Sequence, residues 1–380
     1  MRCGNAMSSF PRKRESGAGP WAPACARATM KLMTLALLAI AALRPALAEP
    51  SPALLQVIEA AKKEGRLELQ WGQSILGGSG GTKEMGEAMN AMFGTSIAVR
   101  FTPGPSLPEV LNKVVVSQSA GMASPIDAVI GTNQHAAEMY INHVSVPVDW
   151  VSLLPGRIEP QSVEAEGAAI RIFTTLPGGI LYNTQRAPEK PAKLTDLLKP
   201  EWKGKIASTP YAASWELLTG SDVWGERALD YARQLSTQVA GLIRCNELER
   251  LASGEFIGFA MDCTGRDWVA LQRKGAPIAS VVPEDFPAQR FYYLSLPKNA
   301  AHPNAAKLFV VFLHTPEGQK LVWKWTATDL HTYPESQLAR ELADYEKKGV
   351  KFREFTVGWH LRHPEALEGQ RKAVAILSGR

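Results

Sequence analysis

The amino-acid sequence predicts an α/β molecule of two lobes joined by two extended hinge crossings. Three observations carry this expectation. Strand-like and helix-like apolar periods alternate from Leu54 onward, the pattern of a parallel sheet covered by helices. A stretch rich in proline and glycine, Val144 to Gly179, interrupts the alternation, and it restarts after Asn183. A further extended run, Phe291-Tyr292-Tyr293-Leu294-Ser295-Leu296, precedes an end dominated by helices. One α/β unit interrupted by another, with two crossings between them, is a two-lobed molecule with a hinge. The expected division is 49–178 with 294–380 for lobe 1, and 179–293 for lobe 2.

Each element has a local reason. Leu54, Leu55, Val57, Ile58, Ala60 and Ala61 have helical spacing, and Lys62-Lys63-Glu64-Gly65 supplies a cationic last turn with a glycine stop. Arg66-Leu67-Glu68-Leu69-Gln70-Trp71 alternates and reads as a strand. The glycine-rich Gly77 to Thr82 reads as a loop that opens a helix lined by Met85, Ala88, Met89 and Met92. Ile97 to Phe101 is a strand and Pro108 to Gln118 a helix. Ile126 to Ile130 is a third strand, ending at Gly131-Thr132-Asn133 before another helix. Ala169 to Thr174 and Gly179 to Asn183 are extended, as a crossover requires. Then come strand Ile206 to Ser208, a helix from Ser214, strand Ala240 to Ile243 and helix Glu247 to Ala252. Strand Phe256 to Met261 and helix Trp268 to Lys274 complete the second unit.

Met30 to Ala48 has the form of an export signal. Lys31 precedes the apolar run Leu32 to Leu43, Arg44-Pro45 breaks it, and Ala46-Leu47-Ala48 ends it with small residues two apart. The run is shorter than the ~20 residues that span a bilayer. Cleavage near Ala48 and a periplasmic location are expected. Residues 1–29 read as an extension upstream of a true start at Met30. The basic balance of the full chain belongs to this leader. Residues 1–48 hold seven Lys/Arg and one Glu, so residues 49–380 carry 35 basic and 36 acidic side chains and a formal net charge of −1. That charge gives no footing for nucleic-acid binding. Two cysteines remain, Cys245 and Cys263. In an oxidising compartment an even count favours one disulfide, the alternative being two buried free thiols. Two cysteines do not make a structural zinc site, and no metal or cofactor is expected. His360-x-x-His363 has i, i+3 spacing but no evident carboxylate partner in sequence. Neither a G-x-S-x-G elbow nor an H-E-x-x-H motif is present, so hydrolase and metalloprotease chemistry have no support.

The order of several short motifs resembles the family 1 extracellular solute-binding proteins of ABC importers, in their ferric-ion, thiamine and phosphonate binding branch. The motifs are Glu59-Ala60-Ala61-Lys62-Lys63-Glu64-Gly65, Pro125-x-Asp127-Ala128-Val129 and Tyr182-Asn183-Thr184. Pro191-x-x-Leu194-x-Asp196-Leu197, Trp202-Lys203-Gly204-Lys205-Ile206 and Ala252-Ser253-Gly254-Glu255 come next. His302-Pro303-Asn304-Ala305-Ala306-Lys307-Leu308-Phe309 and Pro316-Glu317-Gly318-Gln319 close the series. The resemblance implies the type II periplasmic-binding-protein fold and a monomer that closes on one small ligand. It also implies docking on a membrane permease coupled to an ATPase. The chain departs from the ferric pattern. Arg266-Asp267 stands where ferric binders carry adjacent tyrosines, and Ser74 stands where they carry a histidine. The pair Tyr292-Tyr293 keeps ferric iron as an alternative. A periplasmic enzyme and a sensory ligand-binding module on the same fold also stay open.

Arg266 is the leading candidate for ligand binding. A guanidinium after a strand end gives bidentate recognition of carboxylate or phosphonate, and Asp267 beside it can hold the arginine or receive an amine. Ser79, Gly80, Gly81 and Thr82 at a helix start would offer free N–H groups to an anion. Ser74, Thr132, Asn133, Thr209, Ser214 and Thr264 lie near strand ends, where ligands bind in open α/β sheets. Trp71, Tyr182 and Tyr292 could give an apolar wall. The expected ligand is a small anion or zwitterion.

Overall fold

Alternation in the first strand is matched by burial, with Leu67, Leu69 and Trp71 turned inward and Arg66, Glu68 and Gln70 less buried. The computed structural model describes residues 49–263 and 266–379. Residues 1–48 and Thr264 lie outside the described residues, as do Gly265 and Arg380. In chain order the elements begin α1 (Pro52–Glu64), β1 (Arg66–Trp71), α2 (Gly78–Phe93), β2 (Ala98–Pro103), α3 (Leu107–Ser119), β3 (Val129–Thr132) and α4 (Asn133–Ile141). The approach to the second unit holds α5 (Trp150–Leu153), β4 (Val163–Glu164), β5 (Ala169–Thr175) and β6 (Ile180–Asn183). That unit continues with β7 (Ile206–Ser208), α6 (Trp215–Leu218), α7 (Glu226–Ser236), β8 (Val239–Leu242), α8 (Glu249–Ala252), β9 (Gly258–Ala260), α9 (Asp267–Arg273) and β10 (Ile278–Val281). The return strand β11 (Ala288–Ser295) leads to α10 (Pro303–Leu313), α11 (Pro316–Thr326), α12 (Gln337–Glu346), β12 (Arg353–Phe355), α13 (Val357–Arg362) and α14 (Glu365–Leu377).

The strands form two main layers. β12, β11, β5 and β4 make one sheet, with β3 also paired to β11, and β1–β2 lie beside it through a bridge from Leu69 to Ala128. The second sheet has the order β10-β6-β9-β7-β8. Each has its own core. Leu67, Leu69, Trp71, Phe309 and Phe312 are buried together in the first lobe, and Trp202, Trp215, Leu229 and Tyr231 in the second.

The sheets are mixed, where strand–helix alternation predicts parallel ones. β1 with β2, and β7 with β8 and β9, are parallel, but β6 and β11 run antiparallel to their neighbours β9, β10, β3 and β5. The physical reason is the crossing. A chain that leaves one lobe and returns to it enters by strands of opposite direction, so β5 and β11 lie side by side from Ile170–Leu294 to Thr175–Arg290. The terminal helix α14 follows from the first lobe's segment yet packs on the second. Its Ala366, Ala373 and Leu377 share the core of Trp215, Leu229 and Tyr231.

The glycine-rich stretch differs from its expected form. It is not a loop but the first turns of α2, which begins at Gly78. Glycine is required there for close approach. A Cβ on Gly81 would sit 1.9 Å from the Leu76 carbonyl oxygen, and one on Gly80 3.0 Å from the Trp325 ring.

Candidate functional site

A cleft of about 720 Å³ lies where the first lobe, the second lobe, β11 and α14 meet. That is in the range of small-molecule sites. The first lobe contributes Ser74, Ile75, Leu107, Thr132 and His135; the second contributes Tyr211, Ala213, Cys245 and Cys263. Arg290 and Tyr292 of β11 form its floor, and Gln370 and Arg371 of α14 its rim. A smaller cavity of about 190 Å³ adjoins it and shares Ser74, Ile75, Cys245, Cys263 and Tyr292, adding Phe173, Arg266, Asp267 and Thr328.

Local chemistry places each group. Cys245 after β8 and Cys263 after β9 are joined by a disulfide across 18 residues of chain. The Tyr211 hydroxyl lies 2.6 Å from Cys245 Sγ and accepts from the Cys245 N–H at 3.1 Å. Tyr292 stacks on Phe173 with ring centroids 4.7 Å apart. A bulge between Tyr292 and Tyr293 re-aims the strand. Tyr292 lines the cleft, whereas the Tyr293 hydroxyl donates to Glu164 at 2.7 Å. Thr132 caps α4, and its side chain lies 2.9 Å from His135 Nδ1.

Of the residues singled out in the sequence, Ser74, Thr132 and Tyr292 line the larger cleft, and Arg266 and Asp267 line the adjoining cavity. Arg266 is already engaged, its Nη1 donating to Glu341 at 2.7 Å. Burial raises the Asp267 carboxyl above its usual range. The others are turned to structural work. The Ser79 N–H donates to Gln73 Oε1 at 3.0 Å, which occupies a donor that an anion would need. Thr82 donates to the Gly78 carbonyl at 2.7 Å, and Gly80 and Gly81 pack under Trp325. At this helix start the turn serves close packing. Asn133 is buried, with its amide donating to the Thr356 carbonyl at 3.4 Å. Thr209 accepts from the Ala213 N–H at 2.8 Å, and Ser214 donates to the Asp262 carbonyl at 3.2 Å. Tyr182 is held within β6 between β9 and β10. Thr264 lies outside the described residues. His363, read in sequence without a carboxylate, lies 2.9 Å from Glu365 and 3.3 Å from Asp222.

Sequence reasoning missed Arg290 and His135. Arg290 is 4% exposed and its Nη1 donates to Glu216 at 2.5 Å. Burial, with the nearby charge of Arg290, lowers the His135 pKa to about 4. An arginine at the head of a largely apolar extended run was the available signal, since a buried charge has to be paired.

A cleft walled by two α/β lobes and floored by a crossing strand defines a binding protein rather than an isolated surface pocket. A family profile described as bacterial extracellular solute-binding protein matches residues 124–354. The chain belongs to this family. It is thus an exported solute binder, not an enzyme, with the two-lobed fold of periplasmic binding proteins. Among curated proteins it is similar to an uncharacterized protein of Haemophilus influenzae, at 30% identity over 164 residues, 38% of this chain and 45% of that one. It is also similar to an Fe(3+)-binding periplasmic protein of Serratia marcescens, at 31% over 113 residues, 28% of this chain and 32% of that one. The chain spans less than half the length of these two relatives. Three solved structures share the fold. A substrate-binding protein of an ABC transporter from Agrobacterium tumefaciens has 15% identity and TM-score 0.67, covering 82% of this chain and 94% of that one. Iron-bound HitA from Pseudomonas aeruginosa has 16% and 0.62, covering 81% and 99%. AfuA from Actinobacillus pleuropneumoniae, with fructose-6-phosphate bound, has 18% and 0.61, covering 83% and 97%.

Proposed function

We propose that the protein captures a small organic anion, a carboxylate or phosphonate-like solute, and delivers it to the membrane permease of an ABC importer with its ATPase. The cleft carries this reading. It is walled from both lobes, so one ligand can touch both and hold them together. Arg266, Arg290 and Arg371 line the cleft and its adjoining cavity, each paired with a carboxylate, Glu341, Glu216 and Glu368, and a guanidinium carries five N–H donors, more than one such pair uses. Lobe 1 is 49–178 with 294–380 and lobe 2 is 179–293, the crossings running through β5–β6 and β11. Residues 294–380 end in α14, which reaches back onto lobe 2. An open form samples closure about these crossings, and a ligand with contacts on both sides stabilises the closed form by population shift. The protein acts as a monomer in the periplasm after cleavage near Ala48.

Ferric iron is the second reading, favoured by the name of the Serratia relative. The split orientation of Tyr292 and Tyr293 supports the organic anion over iron, because one phenol of the pair is spent on Glu164. A thermal-shift screen against organic acids, phosphonates, amino acids, thiamine and Fe(III) separates them. A ligand present at 100 times its Kd adds about 2.7 kcal/mol of stability. The expected result is a shift with one class of organic anion; a shift with Fe(III) alone overturns the reading.

A further inference from the structure

We propose that Arg290 and His135 hold the acceptor oxygens of the ligand's anionic head, so that the specificity-determining subsite is the floor of the cleft. The inference rests on the anion-capture reading above and names its anchor. Both residues line the same cavity and both are at least nine-tenths buried. Arg290 is fixed at two levels. Its backbone is registered between Thr175 of β5 and Phe355 of β12, and its Nη1 is held by Glu216 of α6. Its Nε is buried with no partner. His135 is fixed by its cap. The Thr132 N–H donates to Nδ1 at 3.4 Å, so Nδ1 is an acceptor, and the Thr132 hydroxyl at 2.9 Å donates to the same atom. The ring proton therefore sits on Nε2, which is also buried without a partner. Both N–H donors belong to residues that line one cavity, and both are buried and unsatisfied, a costly arrangement unless an acceptor arrives.

The chemistry of the pair selects the guest. Neither a guanidinium Nε–H nor an imidazole Nε2–H has a lone pair to give, so this pair of donors does not ligate a metal cation. It can donate to two oxygens of a carboxylate or a phosphonate. Glu216 already balances the charge of Arg290, which suits a singly charged head over a multiply charged one. The stacked Tyr292 and Phe173, with Ile75 and Leu107, leave an apolar wall for the ligand's organic body.

The test is calorimetric titration of the purified protein with methylphosphonate, inorganic phosphate and succinate. Three variants are compared with the unaltered protein. R290K keeps the charge for Glu216 but loses the Nε–H donor. H135L removes the imidazole, and H135Q restores an N–H near the Nε2 position. The expected result is at least one probe bound by the unaltered protein. R290K and H135L should each weaken it by about tenfold or more, with melting temperatures close to the parent, and H135Q should recover most of the loss. Parental affinity in both R290K and H135L overturns the subsite while leaving anion capture standing. No binding of any probe to the unaltered protein overturns both. Should R290K not fold, the contrast between H135L and H135Q decides.

Discussion

Arg290 sits in a strand buried along nearly its whole length, where a charge has to find a partner within the protein. It finds Glu216, which is 74 residues earlier in the chain. No pattern around either residue announces that pairing, because it exists only once α6 is laid against the returning strand. Arg266 is the opposite case. Its place after a strand end makes it conspicuous, and the fold ties it to Glu341. The glycines of α2 are also governed by single contacts. Gly81→Ala would drive a Cβ into the backbone oxygen of Leu76, which itself holds a φ of 49°. The backbone there cannot swing aside as a side chain can. The substitution should cost about 3 kcal/mol, as severe overpacking does, and displace the Ser74–Ile75 rim of the cleft. Gly80→Ala meets only the Trp325 ring at 3.0 Å and should cost less. Urea denaturation of the two variants checks the order; equal stability contradicts it.

At the scale of elements, the disulfide ties the chain after β8 to the chain after β9 and makes one wall of the cleft from both. Closing a loop across 18 residues should contribute about 3 kcal/mol through the unfolded state. The double variant C245A/C263A should therefore melt several degrees lower, and calorimetry with and without reductant measures it. An unchanged melting temperature would mean that packing alone holds the wall. Elements were legible in sequence where local signals agree. α1 is framed by Ser51, whose side chain accepts from the Leu54 N–H, and by Gly65 at φ 62°. β1 alternates as its burial does. Where signals are not local, the sequence misleads. The glycine run looked like a loop because low helix propensity outweighs a contact that only Leu76 and Trp325 reveal. The third strand was expected at Ile126–Ile130 but lies at Val129–Thr132, paired to Tyr292 through Ser295 of the return crossing. Strand direction was missed for the same reason, since the topology of the crossings sets it.

For the whole molecule, the two-lobed plan was legible because it is written in the order of periodic segments. The content of the cleft was legible only in part, because its floor is assembled from β11 and α4 and held by Glu216 of α6, which are distant in sequence. That assembly also buries histidines that must stay neutral, and this makes stability depend on pH. Burial holds His135 and His360 at pKa values of about 4 and His314 at about 3, against an ordinary 6.5. Between about pH 6.5 and 4 the unfolded chain therefore binds a proton at each of these sites that the fold refuses, and their contribution is lost as pH falls. Asp262 has the opposite sign. Burial raises its carboxyl to about 7 from 3.8, so its contribution is complete at low pH and lost as pH rises through 7. For these four groups, three histidines against one aspartate leave the unfolded state ahead by about two protons near pH 5, a slope of about 2.7 kcal/mol per pH unit; burial lowers His331, which adds to it, and raises Asp267, which subtracts. Unfolding free energy from urea titrations should therefore drop steeply from pH 6 to 4.5. A His314→Gln variant should flatten that slope by about 1.4 kcal/mol per pH unit. A stability that is level or rises on acidification through this window would mean that the buried imidazoles take up protons within the fold, and the neutral His135 donor at the cleft floor would fall with it.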